Sequence, residues 1–465
     1  MPTFLDLGIS VQRVELLQTL GFVHPTPIQA QAIPHLLMGR DVLGLAQTGT
    51  GKTAAFALPL LELIDPASPL LQGIILTPTR ELALQVMQAV KSFNLKPGGA
   101  RITCVYGGQA IERQIKQLEQ GVQIVVGTPG RVIDLLERGV LDLQQVRHFV
   151  LDEADEMLNM GFIEDVERIL SATPKDKQSA FFSATMPIPV QKLVQRYLKN
   201  PVTVQIKTDA VTKKQIEQQA YFVPAHLTKE EALLPILELE SPESAIIFVR
   251  TKETASRLNT LLQEAGHSVD EYHGNLSQSQ REMLIRRFRS QQVKWIVATD
   301  IAARGLDIDG LTHVFNLDLP DDPDRYIHRI GRTGRAGRTG KAISLITAKE
   351  KYRLKQLEKL TGQPIKICEM PTLQQLQACW IARFTTQIHN ALTGERLASF
   401  LPLVSQLTEI YDPQAVAAAA LQLAYSQMQS DRAEKAVMEI LAKQPPKPLR
   451  RQHNSSQRVV SSPKR

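Results

Sequence analysis

The sequence predicts an α/β protein: two tandem domains, each a parallel sheet covered by helices, then an α-helical extension and a disordered basic tail. Three observations lead there. Short apolar runs alternate with stretches of 3.6-residue apolar spacing over 41–206, and again from 217. The polar stretch Lys207–Gln215 separates the two series, and after about residue 365 the strand-like runs stop. The expected divisions are 1–34 as a lead-in, 35–206, a linker at 207–216, 217–365, a helical extension at 366–443 and the tail at 444–465.

In the first series the strand candidates are Val42–Ala46, Gly73–Thr77, Ile102–Tyr106, Gln123–Gly127, His148–Asp152 and Ser179–Ser183. Ala54–Ile64 and Glu81–Phe93 are helical by spacing. The second series offers Glu217–Val223, Ala245–Val249, Val269–Tyr272, Trp295–Thr299, His313–Asn316 and Ala342–Thr347. Leu373–Leu392, Leu397–Ile410, Pro413–Met428 and Arg432–Lys443 read as helices, with Asp412-Pro413 as an N-cap followed by proline at the first helical position. Ala415–Ala420 reads as a tightly packed intrachain face ahead of a dimer contact, and Cys368, Cys379 and Trp380 as core.

Composition excludes several classes. With 465 residues, 43% hydrophobic and 22% charged, the chain is neither collagen-like nor wholly disordered. Three cysteines without a CxxC pair argue against a disulfide framework or structural zinc, so a reducing, cytoplasmic setting is expected. No signal-like leader and no membrane-length apolar run is read. Of a net charge of +7, six units fall in 444–465, which leaves one on the rest of the chain. A polyanion site in the folded part must therefore be a local arrangement of residues.

Such arrangements are visible. Strand Val42–Ala46 runs into Ala46-Gln47-Thr48-Gly49-Thr50-Gly51-Lys52-Thr53 and then a helix, the pattern of a phosphate loop. Its glycines let backbone N–H groups approach phosphates; Lys52, expected to be exposed in the empty site, supplies a point charge to the β/γ oxygens and Thr53 a hydroxyl for Mg²⁺. Asp152-Glu153-Ala154-Asp155 closes an apolar strand, where one carboxylate can hold Mg²⁺ through water and its neighbour can polarise the attacking water. The second domain lacks a phosphate loop but carries Tyr326–Arg338, with arginines Arg329, Arg332, Arg335 and Arg338 among glycines. An arginine delivered by one domain to a γ-phosphate held by another makes hydrolysis depend on domain closure. A flexible RNA-binding stretch is the competing reading, weakened by Ile327, Ile330 and the strand that follows.

Together these residues resemble the DEAD-box ATP-dependent RNA helicases over roughly residues 4–365. The likeness rests on Gly21–Gln29 with Phe4 upstream, Ala46–Thr53, Pro78–Leu82, Gly107-Gly108, Thr128–Arg131, Asp152–Asp155 and Ser183-Ala184-Thr185. It continues through Ile247–Arg250, Gln278–Arg281, Ala298–Asp300, Arg304–Asp307 and His328–Arg335. The resemblance implies two RecA-like domains with ATP and Mg²⁺ as cofactors. It gives Gln29 and Phe4 the adenine, Ala46–Thr53 the phosphates, Thr53 and Asp152 the metal, Glu153 the water, and Asp307 the ribose. It gives Arg332 and Arg335 the γ-phosphate, and makes Asp155, Ser183, Thr185 and His328 a coupling network. Arg80, Gly108, Thr128, Arg131, Arg250, Gln278, Arg281 and Thr299 would line an RNA track that holds phosphates and 2′-hydroxyls without reading bases. Residues 366–443 resemble the extension of bacterial cold-shock-type members, the cyanobacterial cold-inducible helicases among them, through Leu392–Phe400.

The expected activity is an RNA-dependent ATPase that locally separates short duplexes and remodels RNA or RNA–protein complexes. Its expected partners are RNA and, through the extension, a second copy; no membrane is expected. An ATP-gated RNA clamp and a DNA translocase are the rival readings. Strand displacement tests the first, and comparing RNA with DNA stimulation tests the second.

Overall fold

The computed structural model describes residues 2–46, 49–95, 98–206, 216–303, 308, 310–334, 339–429 and 432–443. The linker 207–215, the tail 444–465, and the site candidates Gln47, Thr48, Asp307 and Arg335 lie outside the described residues.

Two seven-stranded, all-parallel sheets form the frame. The first holds β1 (Val42–Leu45), β2 (Gly73–Leu76), β3 (Ile102–Val105), β4 (Ile124–Gly127), β5 (His148–Leu151), β6 (Gln178–Ser183) and β7 (Val202–Gln205), in the order β3-β4-β2-β5-β6-β1-β7. The second holds β8 (Ile216–Phe222), β9 (Ala245–Val249), β10 (Val269–Tyr272), β11 (Trp295–Thr299), β12 (His313–Asn316), β13 (Gly340–Ile346) and β14 (Lys366–Cys368), in the order β10-β11-β9-β12-β13-β8-β14. The second order is the first shifted by seven strands. Central strands such as β2, β4 and β9 are buried along their whole length, as strands covered on both faces must be.

The last strand of each sheet departs from the sequence reading. β7 and β14 were not foreseen, and the second sheet runs to Cys368, past the expected boundary at 365. Both are short edge strands with exposed positions, each shortly after a proline (Pro201, Pro364). Half-exposed edges carry too little apolar signal to stand out.

The extension goes out and comes back. Helix Leu373–Leu392 buries Leu376 and Trp380 against Leu233, Ile236 and Leu237 of helix Lys229–Glu240. Helix Arg432–Ala442 returns to the same core with Ala433, Val437 and Ile440. Between them, the expected helix 397–410 is a 3₁₀ stretch, Glu395–Phe400, followed by an α-helix, Leu401–Thr408. Helix Pro413–Gln429 starts at the expected cap, where the Asp412 carboxylate accepts the Gln414 and Ala415 N–H groups at 2.9 and 3.2 Å. The expected packing of Ala415–Ala420 is not found. Apart from half-buried Val416, that stretch is exposed, because this helix leaves the sheets rather than lying on them. Trp380 is buried, whereas Cys368 and Cys379 are only half-buried. Among the described residues no helix is long and apolar enough to cross a membrane.

Candidate active site in the cleft between the sheets

The C-terminal ends of the two sheets' strands build one cleft. Lys52, Glu153, Asp155, Glu156 and Ala184 line it from the first unit, and Phe248, Asp300, Ala303, Arg325, His328, Arg329 and Arg332 from the second. Ligands in open parallel sheets bind at this end of the strands, where loops and helix N-termini converge.

The loop after β1 delivers Lys52 as the first residue of helix Lys52–Leu63. Gly51 before it sits at φ +90°, in the left-handed region, and a Cβ there would collide with the Gln29 amide. Gln29 Nε2 donates to the Gly51 carbonyl at 3.0 Å, while its Oε1 accepts the Thr26 N–H at 2.9 Å. Gln29 is thereby tied to the phosphate loop, one link short of the base it was expected to read. Lys52 is 6% exposed, which corrects the expectation of an exposed ammonium: it lies beneath the loop, beside Asp152 and Glu153. Phe4, expected to stack on adenine, is 2% exposed and packed in the first core cluster, with no open face.

After β5 the chain turns sharply. Glu153 adopts φ +51°, rare for a side-chain-bearing residue, and this aims Asp152 and Glu153 at the loop. Burial pushes the Glu153 carboxyl up to about 7, opposed by Lys52 and Arg332, and raises Asp152 as well. Two adjacent carboxylates that resist ionisation are short of positive charge. That fits a divalent cation held by Thr53 and Asp152 together with nucleotide phosphates.

Asp155 knits β5 to β6. Its Oδ2 accepts the Thr185 N–H at 2.8 Å, the Thr185 hydroxyl at 2.9 Å and the Ala184 N–H at 3.2 Å; its own N–H donates to Ser183 Oγ at 3.2 Å. From the other sheet, His328 faces this network. Burial lowers its imidazole below the usual range, against the pull of Asp155 and Glu156.

Arg329, next to His328, received no role in the sequence reading and turns out to be a strut. It donates to both Asp300 carboxylate oxygens at 2.6 Å, to Asn316 Oδ1 at 3.0 Å and to the Asp318 main-chain carbonyl at 2.6 Å, and its guanidinium lies 4.9 Å from the centre of the Phe248 ring. Phe248 and Asp300, which lie within quoted motifs, and Ala303, Arg325 and Glu156 likewise received no role. The available signal was helical spacing: Arg325, His328, Arg329 and Arg332 fall at i, i+3, i+4 and i+7.

The residues expected along an RNA track gather at one side, after equivalent strands of the two sheets. Arg80 follows β2, Gly108 follows β3, and Thr128 and Arg131 follow β4. Arg250 follows β9, Gln278 and Arg281 follow β10, and Thr299 ends β11. Gly108, at φ +84°, leaves the space the Arg80 guanidinium occupies. Arg131 is braced by Gln114 Oε1 at 2.9 Å, and Arg250 reaches Asp321 at 3.1 Å. Gln278 Nε2 bonds Glu282 at 3.0 Å, and Arg281 crosses between the units to Glu81 at 3.1 Å.

Comparison with known proteins gives matches along most of the chain. Family models match as DEAD/DEAH box helicase over residues 26–193, helicase conserved C-terminal domain over 228–337 and RNA helicase DeaD dimerization domain over 371–435. RNA helicase CrhR of Synechocystis sp. is 59% identical over 425 residues, 91% of this chain and 86% of that protein. ATP-dependent RNA helicase DeaD of Escherichia coli is 43% identical over 427 residues, covering 91% and 68%. The structure of S. cerevisiae Dbp5 bound to RNA and ADP BeF3 superposes with a TM-score of 0.70 at 33% identity, over 82% of this chain and 99% of that one.

Proposed function

This chain belongs to the DEAD-box ATP-dependent RNA helicases, and on that premise we propose that ATP hydrolysis in its cleft is coupled to closure of the two units on RNA, locally separating short duplexes. The observation that carries the proposal is the make-up of the cleft: a phosphate loop and acidic strand end on one wall, a row of cationic side chains on the other. Lys52 and the backbone N–H groups before it hold the β/γ phosphates. Asp152 and Thr53 hold Mg²⁺, which supplies charge neutralisation on the phosphates when bound. Glu153, proton-accepting above its raised pKa, orients and deprotonates the attacking water. Arg332, with Arg335, meets charge developing on the γ-phosphate only when the units close.

Closure also joins the two halves of the RNA track. A strand held along both halves through its backbone must bend or release its partner, and hydrolysis reopens the cleft. The extension supplies a dimer contact: Leu392, Phe400, Leu403, Ile410 and Leu423 are each more than half exposed on the projecting segment. The comparison experiment is RNA-stimulated ATPase and strand displacement by wild type and Glu153→Gln. Displacement of a short duplex by wild type and its loss in the variant are expected. RNA-stimulated hydrolysis without displacement would favour the ATP-gated clamp.

A further inference from the structure

The first sheet ends on β3, which pairs with β4 alone and so has an outer edge with no strand beside it. Helix Arg80–Phe93 packs on one face of β3 and helix Ile111–Glu119 on the other, and a groove runs along the edge between them. The Arg101 and Val105 carbonyls accept from N–H groups on the β4 side, so the even-numbered residues turn their backbone groups outward. Two side-chain amides stand in for a strand at the ends of this row. Asn94 Nδ2 donates to the Ala100 carbonyl at 2.8 Å; Gln114 Oε1 accepts the Tyr106 N–H at 3.3 Å, and its Nε2 donates to the Tyr106 carbonyl at 3.0 Å. Between these caps, Ile102 and Cys104 each face the groove with an N–H and a C=O. Among the described residues Lys91 and Arg101 line it and no acid does. Leu84 and Met87 lie half-buried on one wall, and Gln117 and Gln120 are exposed on the other.

We propose that this groove takes an extended acidic peptide of another protein, added to β3 as a further strand. Main-chain hydrogen bonds to Ile102 and Cys104 supply affinity, and the walls supply selection. Alternate side chains of a strand fall to opposite walls, an apolar one onto Leu84 and Met87 and a polar one onto Gln117 and Gln120. Lys91 and Arg101 favour acids. They repel this chain's own tail, which carries six positive charges and no acid, and the like-charged β3 edge of a second copy. RNA fits the edge less well, because phosphates only accept hydrogen bonds whereas the edge repeats donor and acceptor. At the equivalent edge of the second sheet, Asp270 of β10 already pairs with Arg287 at 2.5 Å, so that edge does not offer a free cation there. Gln114 also braces Arg131, so the capped end of the groove abuts the expected RNA track and the open stretch leads away from it.

The test is fluorescence anisotropy of a short dye-labelled peptide of alternating Glu and Val, titrated with the full chain. Saturable binding is expected, with a Lys/Val peptide about tenfold weaker or worse. Methylating every second peptide nitrogen distinguishes the sheet-facing from the outward N–H groups. One phase of methylation should weaken binding by about thirtyfold, through two lost hydrogen bonds, and the other should change it by less than about twofold. Lys91→Glu with Arg101→Glu should weaken binding by about tenfold and leave RNA-stimulated ATP turnover within about twofold of wild type. The methylated peptides need no variant, so they decide the matter even if the double reversal misfolds. Equal effects of the two methylation phases overturn strand pairing, and equal binding of the Lys/Val peptide overturns the charge selection. A Glu/Val peptide that does not bind overturns the proposal; polyuridylate affinity lowered in the double reversal would then make the groove part of the RNA path.

Discussion

The two sheets have the same strand order, and at equivalent places they carry similar residues put to opposite use. In the first unit Lys52 opens the helix after β1, and Asp152 follows β5. In the second, Lys229 opens the helix after β8, and Asp318 stands just past β12. Lys229 is closed on itself: its Nζ lies 3.8 Å from Asp318 and 3.0 Å from Glu350, and Asp318 also takes the Arg250 N–H at 3.0 Å. No glycine loop precedes Lys229, whereas Gly49 and Gly51 precede Lys52. The same frame thus becomes a nucleotide cradle in one copy and an internally neutralised platform in the other. Function lies in the loops grafted onto a fold, not in the fold.

That contrast can be broken by substitution. The largest effect is expected for Lys52→Ala, which should abolish measurable ATP turnover, while Lys229→Ala should keep more than half of it. A steady-state ATPase assay on both decides, and equal losses would erase the distinction between the two lysines. Next comes the pair of neighbouring arginines on the second wall. Arg332→Ala should lower RNA-stimulated hydrolysis by about 10³, the low end for arginine fingers, with ATP binding retained. Arg329→Ala should instead cost about 3–5 kcal/mol of stability, since it strands a buried ion pair. Denaturant unfolding beside single-turnover hydrolysis separates the two roles.

The smallest effect concerns Glu153 and has a definite sign. Its folded pKa of about 7 lies above the ordinary carboxyl value of 4.5, so the native state holds a proton the unfolded chain has lost. Stability is therefore lost as pH rises from about 4.5 to 7, with the full penalty present above 7. Glu153→Gln should melt higher than wild type at pH 8, and the gap should close by about pH 4.5. Melting curves across that range check it. A constant gap would place the effect in packing and not in charge.

What the sequence made legible follows from how strongly each feature is patterned. The twelve foreseen strands are apolar runs bounded by turns, and the phosphate loop and Asp152–Asp155 are contiguous, so spacing alone exposes them. β7 and β14 escape because an edge strand buries only one side. Lys52 reads as exposed from its local window, whereas the carboxylates beside it, Asp152 and Glu153, come from the far-off end of β5. Ala415–Ala420 was misjudged because small residues mark a close approach without saying whose.

Both feet of the extension stand on one helix, Lys229–Glu240: Leu376 and Trp380 at the outgoing foot, Val437 and Ile440 at the returning one. Glu238 bolts the outgoing foot by accepting from Trp380 Nε1 at 3.2 Å and Arg383 at 2.9 Å. A mast anchored this way is fixed to the second unit at both ends. Among the described residues, 393–429 contribute no side chain to that core, so the length of this stretch sets the reach of the mast independently of its anchorage.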